Sequence, residues 1–198
     1  MRRIGVAGGI GAGKTALTER LEDLGWSVVD ADRVAHRVTE AGQPAWRALR
    51  DAFGDAVLGP DGSLDRTFVA EVVFHDHSAL RRLNHITHGH IGQEIERELD
   101  SMHGSVAFVA IPLFLPEHRH IFKLEEVWAV LCEPETAVTR LREHRGFSEA
   151  DACARLANQM TNDERITIVD RVLWNEGSLS DLYEMLDVVL HTVGVTRG

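Results

Sequence analysis

Hydrophobic positions along the chain fall into two alternating patterns. Five short runs are rich in β-branched and aliphatic residues: residues 3–7, 26–30, 105–111, 127–131 and 171–174. Runs of this kind are typical of strands that are buried on both faces of a parallel sheet. Between them lie stretches of helical period, for example residues 17–24, 135–145 and 148–160. The alternation predicts a three-layer α/β fold with right-handed crossovers.

The alternation is interrupted once, between Asp32 and Met102, where no strand pattern is present. Amphipathic helical patterns cover most of this stretch: residues 33–39, 44–53, 66–74 and 77–101. We therefore predict a helical insertion over residues 32–102, between two strands of the sheet. Ligands of open α/β sheets bind beyond the carboxyl ends of the strands, and long connections there often carry function. The insertion is thus expected to bind a second ligand.

Composition and charge favour a soluble globular protein. The chain of 198 residues is 44% hydrophobic and 26% charged, which is close to the globular average and far from a disordered composition. Its 21 Lys and Arg against 31 Asp and Glu give a formal net charge of −10, which argues against a nucleic acid as partner. The longest apolar run, residues 106–115, is too short to cross a membrane. Cys132 and Cys153 match no disulfide or zinc pattern, so a reducing cytoplasm is the simplest setting.

A glycine-rich motif follows the first predicted strand. Residues 8–15, GGIGAGKT, fit G-x-x-x-x-G-K-[ST] and open a predicted helix, which is the context that this motif requires. Backbone N–H groups and the helix N-terminus would bind phosphate, Lys14 would reach the β- and γ-oxygens, and the Thr15 hydroxyl would bind Mg²⁺. The alternative is a glycine-rich turn with a solvated lysine. The residues expected to contact a nucleotide are Gly9, Ile10, Gly11, Ala12, Gly13, Lys14, Thr15 and Ala16.

Two carboxylates end the second predicted strand. Asp30 and Asp32 are expected at the carboxyl edge of the sheet, where the phosphate loop is also expected. Because side chains alternate along an extended segment, both are expected to point the same way. One can act as a base for an acceptor hydroxyl, and the other can hold a metal-bound water or cap the next helix. The alternative is that both only cap and solubilise the start of a helix.

Arginines cluster around Gly146 in an otherwise acidic chain: Arg140, Arg142, Arg145, Arg155 and Arg165. Alone, this spacing is typical of a solvated helical face. With a phosphate loop present, it favours a mobile helix pair whose arginines clamp the γ-phosphate, because the charge of the transferring group needs contacts from outside the loop. The pattern does not select one arginine from the five.

Several histidines lie close together in the predicted insertion, namely His85, His88 and His90. An i, i+3 pair on a helix can bind zinc, but no carboxylate follows at H-E-x-x-H spacing. Ordinary surface or core histidines are therefore favoured over a metal site, with one residue available to contact substrate phosphate. His118 and His120 are predicted to lie in a loop.

The order and spacing of these motifs resemble the dephospho-coenzyme A kinase family. The motifs are GGIGAGKT, VVDAD, FGDAVLGPDGSLDR (53–66), LNHITH (83–88), IPL (111–113) and N-x-G (175–177). The resemblance implies a P-loop NTPase fold with ATP, Mg²⁺ and dephospho-coenzyme A as ligands, and phosphorylation of the ribose 3′-hydroxyl to give coenzyme A and ADP. It also implies three parts: a nucleotide-binding core (1–31, 103–139 and 160–198), a helical substrate-binding insertion (32–102) and a helical lid (140–159).

The resemblance also gives single residues a role. Asp32 matches the family's catalytic base, Lys14 matches the phosphate-loop lysine, and Arg140 and Arg145 fall in the lid segment. We take Arg145 as the catalytic arginine of the lid. The remaining matches are Asn175 and Gly177 on the nucleotide side, and Arg66, His88 and Leu113 on the side of dephospho-coenzyme A.

The chain departs from the family pattern at positions near the expected site. The departures are Ala7 for Thr, Gly89 for the Pro after His88, Ala110 for Asp, Pro116 for Glu and Trp174 for the Asp before Asn175. These changes spare the phosphate loop, Asp32 and the lid arginines. We therefore expect the chemistry to be retained and the substrate fit and rate to change.

Two other functions remain open from the sequence. The core and lid are shared across P-loop kinases and only the insertion sets the acceptor, so a nucleotide, nucleoside or other small hydroxyl compound is an alternative acceptor. The departures also permit a nucleotide-binding regulatory protein that has lost transferase activity, although Asp32 is retained. We expect a cytoplasmic monomer or weak homo-oligomer that binds neither nucleic acid nor membrane.

Overall fold

The structure is a computed structural model that describes residues 1–195. The chain divides into two compact units. Unit 1 contains Met1–Asp30 and the chain from Met102 onward, and unit 2 contains Ala31–Ser101. The limits predicted for the insertion, 32–102, differ from those of unit 2 by one residue at each end. Residues 140–159 are part of unit 1, and their role as a lid stays a prediction.

Unit 1 is built on a parallel sheet, which has five strands within the described chain. The strands are β1 (Arg2–Gly8), β2 (Ser27–Asp30), β3 (Val106–Ala110), β4 (Glu126–Leu131) and β5 (Arg171–Trp174). Their order is β2-β3-β1-β4-β5. β1 is central, so that Val6 lies opposite Ala110 on one side and Trp128 on the other. Each predicted run forms a strand, which confirms the α/β fold.

Helices connect the strands and form unit 2. In chain order they are α1 (Lys14–Asp23), α2 (Ala31–Val38), α3 (Pro44–Phe53), α4 (Arg66–His75), α5 (His77–Ser101), α6 (Pro116–Ile121), α7 (Pro134–Arg145), α8 (Glu149–Ala157), α9 (Asn162–Ile166) and α10 (Leu179–Thr192). Among residues 1–195, none of these helices combines the length and the apolar character that spanning a membrane requires.

Two helical predictions are wrong in detail. The helix predicted over residues 148–160 ends early, since α8 stops at Ala157 and a capping box begins α9. In that box the Thr161 hydroxyl accepts from the Glu164 N–H, while the Glu164 carboxylate accepts from the Thr161 N–H. His118 and His120 lie in α6 and not in a loop, because Pro116 occupies the first turn of a helix, where its missing N–H costs nothing.

The core of unit 1 lies between the sheet and the helices packed on it. All residues of β3 are buried, and fully buried Trp128 of β4 meets Phe108 edge to face, with 5.5 Å between the ring centroids. From the helices, Leu17 of α1 and Leu182 of α10 join the same cluster. Burying apolar surface in this way holds both ends of the segment between β1 and α1.

Unit 2 is helical, with a short 3-10 turn (Asp55–Val57) and a bridge between Leu58 and Leu64. Helix α5 has 25 residues and packs against α2, α3 and α4. Buried aliphatic residues occupy these contacts: Val34, Leu49, Ile91, Ile95 and Leu99. Arg37 of α2 forms an ion pair with Glu98 of α5. Unit 2 therefore has a core of its own.

Candidate active site

The phosphate loop joins the central strand β1 to helix α1. Gly11 and Gly13 both have left-handed backbone angles, with φ of 77° and 102°. A Cβ atom on Gly13 would lie 2.4 Å from Asn175 Nδ2, so this position excludes a side chain by space as well as by conformation. Gly8 is also confined, because a Cβ atom there would lie 2.8 Å from the Val130 carbonyl oxygen. The glycines are thus required by the path of the backbone.

The first turn of α1 is available to an anion. Lys14, Thr15 and Ala16 form that turn, and Gly13 precedes it as a cap without a side chain. The turn contains no acidic residue and receives no side-chain hydrogen bond at its cap. No side chain therefore competes at the cap for an anion that the positive end of the helix dipole attracts. A phosphate is the ligand that such a turn binds best.

Asn175 anchors the phosphate loop by a hydrogen bond to its backbone. Its side chain is buried, and its Nδ2 donates to the Ala12 carbonyl at 2.8 Å, while its backbone N–H donates to Leu131 at 2.7 Å. Arg140 donates to the carbonyls of Asn175 and Gly177 at 2.8 and 3.0 Å. The structure therefore brings together three residues that the sequence assigned to the nucleotide side. Their contact with a nucleotide stays a prediction.

Glu176 is a residue at this site that the sequence did not indicate. Its carboxylate accepts from the Glu133 N–H at 2.5 Å and from the Thr136 hydroxyl at 2.6 Å, at the beginning of α7. It thus ties the segment after β5 to α7. No sequence signal identified it, because an acidic residue between Asn175 and Gly177 has the pattern of an ordinary loop.

The connection between α8 and α9 also reaches the phosphate loop. The Gln159 Oε1 atom accepts from the Ile10 N–H at 3.1 Å and from Arg165 Nη2 at 3.1 Å. Arg165 was one of five arginines among which the spacing did not choose, and the resemblance gave a role only to Arg140 and Arg145. Gln159 was not identified at all. The early end of α8 places this glutamine beside the loop, and the prediction that α8 continues to residue 160 concealed it.

The remaining arginines near Gly146 differ in their surroundings. Arg142 forms an exposed ion pair with Glu149 at 3.2 Å, and Arg155 lies over the Phe147 ring at 4.5 Å. Arg145 is exposed at the last position of α7 and forms no side-chain hydrogen bond or ion pair within residues 1–195. Gly146 follows with a left-handed φ of 67°, which ends the helix.

The prediction that Asp30 and Asp32 point the same way rested on an extended chain, and that premise is wrong. Asp30 is the last residue of β2, but helix α2 begins at Ala31, so Asp32 lies in its first turn. The alternation of side chains along a strand does not continue into a helix. Asp32 is exposed, and a carboxylate at this end of a helix is favoured by the helix dipole.

The residues assigned to the second substrate lie in different parts of the chain. Arg66 begins α4, is exposed and donates through Nη2 to the Thr39 hydroxyl at 2.8 Å. His88 is half-buried within α5, as is His90, whereas His85 is exposed. Within residues 1–195, no group of three or more His, Cys, Asp and Glu side chains could hold a metal ion. Leu113 follows β3 in unit 1 and is 54% exposed.

The departures from the family pattern fall on both buried and exposed positions. Ala7 in β1 and Ala110 in β3 are buried in the sheet. Gly89 lies in the unbroken helix α5, and a Cβ atom there would meet no atom within 4 Å. Pro116 begins α6, and Trp174 ends β5 with 39% of its side chain exposed. Trp174 is therefore not a core residue.

The chain is similar to known proteins over nearly its whole length. The model of the family described as dephospho-CoA kinase matches residues 2–181. The dephospho-CoA kinase of Corynebacterium glutamicum is 40% identical over 186 residues, which cover 92% of this chain and 92% of that protein.

Solved structures agree with this similarity. A structure titled TT1252 from Thermus thermophilus matches with a TM-score of 0.79 and 30% identity, over 96% of this chain and 97% of the other. A dephospho-CoA kinase from Campylobacter jejuni matches with a TM-score of 0.67 over 98% of both chains, and at 24% identity it supports the fold. The family match, the identity to curated relatives and the shared fold lead to one conclusion: the chain belongs to the dephospho-CoA kinase family.

Proposed function

We propose that the chain transfers the γ-phosphoryl group of ATP to the ribose 3′-hydroxyl of dephospho-coenzyme A, which gives coenzyme A and ADP. Membership of the family supports this reaction. The observation that carries the proposal is the first turn of α1 after Gly13, which no side chain caps and which holds the motif residues Lys14 and Thr15.

The first step of the proposed mechanism is the binding of the ATP phosphates. The N–H groups at the start of α1 bind the phosphate oxygens, whereas those of Ile10 and Ala12 already donate to Gln159 and to the Gly9 carbonyl. The Lys14 ammonium stabilises charge on the β- and γ-oxygens as the phosphoryl group moves. Asn175 fixes the loop through the Ala12 carbonyl, so these donors are arranged before ATP arrives. Such preorganisation is the main contribution that a protein makes to phosphoryl transfer.

We assign a magnesium ligand to Thr15. The residues fit the ion, because Thr15 is exposed in the first turn of α1 and offers a hydroxyl oxygen, a hard donor of the kind that Mg²⁺ prefers. A Mg²⁺ ion held there with ATP would supply positive charge to the phosphate groups.

The acceptor end of the reaction is assigned to Asp32. Its carboxylate accepts the proton of the ribose 3′-hydroxyl as that oxygen forms a bond to the γ-phosphorus. The bond from the γ-phosphorus to the β,γ-bridging oxygen breaks, and ADP leaves. Arg66 and His88 of unit 2 and Leu113 of unit 1 are assigned to binding the rest of dephospho-coenzyme A.

Both cysteines are free thiols, which fits our proposal that the protein works in the reducing cytoplasm.

The reaction is tested by following ADP formation from ATP with a panel of acceptors. The panel contains dephospho-coenzyme A, adenosine, AMP and shikimate, and the phosphorylated position of each product is found by NMR. We expect ADP with dephospho-coenzyme A, and a 3′-phosphate on the product. ADP formation with another acceptor alone would identify a different kinase. ATP binding without transfer to any acceptor would support the regulatory alternative.

The lid assignment predicts the effect of Arg145→Ala. We expect kcat to fall by about 10²-fold while ADP binding changes little, because the guanidinium acts where the γ-phosphoryl group moves. Steady-state kinetics and calorimetric ADP binding measure the two quantities. Arg142→Ala is the matched comparison, since Arg142 already pairs with Glu149 and should matter far less. Equal effects of the two variants would show that Arg145 is an ordinary solvent-exposed residue of α7 with no role in phosphoryl transfer.

Trp174 precedes Asn175, which is assigned to the nucleotide side, and its ring is exposed. We therefore expect the ring to contact the adenine base. Trp174→Ala should weaken ATP and ADP binding by about 1–2 kcal/mol, the scale of one base–aromatic stack. The tryptophan fluorescence of the unaltered protein should change saturably with nucleotide. Trp174→Phe is the reference, because Trp26, Trp46 and Trp128 also emit. An unchanged fluorescence response in Trp174→Phe together with unchanged nucleotide affinity in Trp174→Ala would exclude the contact.

A further inference from the structure

Arg165 is a buried cation whose hydrogen bonds, within residues 1–195, go to neutral oxygens. Its side chain lies on the short helix α9 and is only 9% exposed. Nε donates to the Met160 carbonyl at 3.0 Å, and Nη2 donates to Gln159 Oε1 at 3.1 Å. Within residues 1–195, no carboxylate lies in ion-pair distance of this guanidinium. Burial lowers the pKa of Arg165 from its ordinary value, which reflects the cost of holding the charge there.

The adjacent acidic residue, Glu164, offsets only part of the effect of burial: its charge raises the pKa of Arg165, but its carboxylate forms no hydrogen bond to the guanidinium. The Glu164 carboxylate instead accepts from the N–H and the hydroxyl of Thr161 in the capping box at the start of α9. A guanidinium that is removed from water and hydrogen-bonded only to neutral oxygens is costly unless an anion arrives. The position of Arg165 is therefore poorly explained by stability alone.

The guanidinium lies against the phosphate loop. A Cβ atom on Gly9 would be 3.7 Å from Arg165 Cζ and 3.7 Å from Gln159 Oε1. The two side chains and the loop together line a cavity of about 40 Å³. All of these residues belong to unit 1. An anion held by this loop is thus the nearest partner that Arg165 can acquire.

Gln159 connects the arginine to the loop. One atom, Oε1, accepts from both the Ile10 N–H and Arg165 Nη2. The end of α8 at Ala157 and the capping box of α9 determine where this residue lies. Gln159 can therefore set the distance between the guanidinium and the backbone of the loop without carrying any charge of its own.

From this geometry we propose that Arg165 binds the terminal phosphoryl oxygens of the nucleotide, and that Gln159 is its positioning residue. The proposal rests on the proposed function only in taking a nucleoside polyphosphate as the ligand. Arg165 supplies the charge, since a guanidinium can bind two phosphate oxygens at once. Gln159 keeps that charge uncompensated, because an amide oxygen accepts the hydrogen bond without neutralising it.

The decisive variant is Gln159→Glu, which keeps the shape and both hydrogen bonds but adds a negative charge beside Arg165. A purely structural role predicts an unfolding temperature that is equal or higher, because charge-assisted hydrogen bonds are stronger, and unchanged ATP binding. The proposal predicts a stable protein whose Kd for ATP rises by about tenfold to a hundredfold, the loss expected for a hydrogen bond to a charged group. The Kd for AMP, which lacks the β- and γ-phosphates, should stay within about twofold.

Asn158→Asp is the matched control, because it adds the same charge one residue away on an exposed side chain. It should leave both Kd values unchanged.

A second pair, Arg165→Lys and Arg165→Met, keeps the test independent of the stability of Gln159→Glu. Arg165→Met should weaken ATP binding and lower kcat, and Arg165→Lys should restore part of both. ATP binding is measured by calorimetry without acceptor, so the result does not depend on which compound is phosphorylated.

Two outcomes would overturn the proposal. Unchanged ATP affinity in folded Gln159→Glu, or in both Arg165 variants, would show that the cluster only packs against the loop. Equal weakening of ATP and AMP binding would show a general distortion of the site. A separate outcome is that the protein fails to phosphorylate dephospho-coenzyme A while Gln159→Glu still weakens the binding of ATP and not of AMP. In that case the proposed function is wrong and the role of Arg165 is supported.

Discussion

Replacing Lys14 with alanine is expected to leave a folded protein that has lost nearly all transferase activity. The ammonium group lies on the first residue of α1, directly after the phosphate loop. Alanine has the highest helix propensity, so α1 should not be weakened by the change. Removing one charged group that stabilises the transferring phosphoryl lowers kcat by roughly 10²–10³-fold or more. Steady-state kinetics with ATP and dephospho-coenzyme A measure this loss, and thermal unfolding checks the fold.

Lys14→Met separates the charge of this residue from its length. Methionine retains an unbranched chain in the same helix turn but carries no ammonium group, so it should be as inactive as alanine. Lys14→Arg, which keeps the charge with a different shape, should recover only part of the activity. Near-normal turnover in either neutral variant would refute the assignment of a phosphate-binding role.

Replacing Asp32 with asparagine is expected to lower kcat by about 10²–10⁴-fold, the range for the loss of a general base. The affinity for ATP should change little, because the carboxylate is assigned to the acceptor hydroxyl and not to the nucleotide. Asp32 lies within the first turn of α2, so the substitution removes only a favourable interaction with the helix dipole, typically about 0.3–1 kcal/mol, and α2 should remain intact. The measurements are kcat with dephospho-coenzyme A and the Kd of ATP without acceptor.

Asp30→Asn is the comparison for this prediction, since Asp30 ends β2 two residues earlier. A general base at Asp32 requires a much larger loss of kcat for Asp32→Asn than for Asp30→Asn. If Asp32→Asn weakens ATP binding in the presence of Mg²⁺ as strongly as it lowers kcat, Asp32 is a metal-site residue. If kcat is unchanged, its carboxylate only stabilises the first turn of α2.

Strand β3 was predictable because it is buried on both faces of the sheet. Val106–Ala110 are all buried, so no polar residue interrupts the hydrophobic run that predicts β3. The end of α8 was harder, because Asn158 and Gln159 continue a helical composition. A signal was nevertheless present in the chain, since Thr161 and Glu164 have the spacing of a capping box.

The candidate site was predictable where its chemistry depends on local sequence. The phosphate loop is such a case, because glycine positions and the helix start are adjacent in the chain. The contacts of Asn175, Glu176 and Gln159 join segments that are far apart in sequence, and only the tertiary fold brings them together. The prediction that the Asp30 and Asp32 side chains point the same way was wrong for a local reason. Nothing in the hydrophobic pattern marked Ala31 as the first residue of a helix.

The place of unit 2 in the chain has a consequence for folding kinetics. β2 and β3 are neighbours in the sheet, although all of unit 2 lies between them in sequence. Bringing them together in an unfolded chain costs closure entropy that grows with the length of the loop, and contacts of this range slow folding. The helices of unit 2 make more local contacts, so their collapse shortens the loop that β2 and β3 must close. The stability of unit 2 thereby influences how fast the nucleotide-binding sheet assembles.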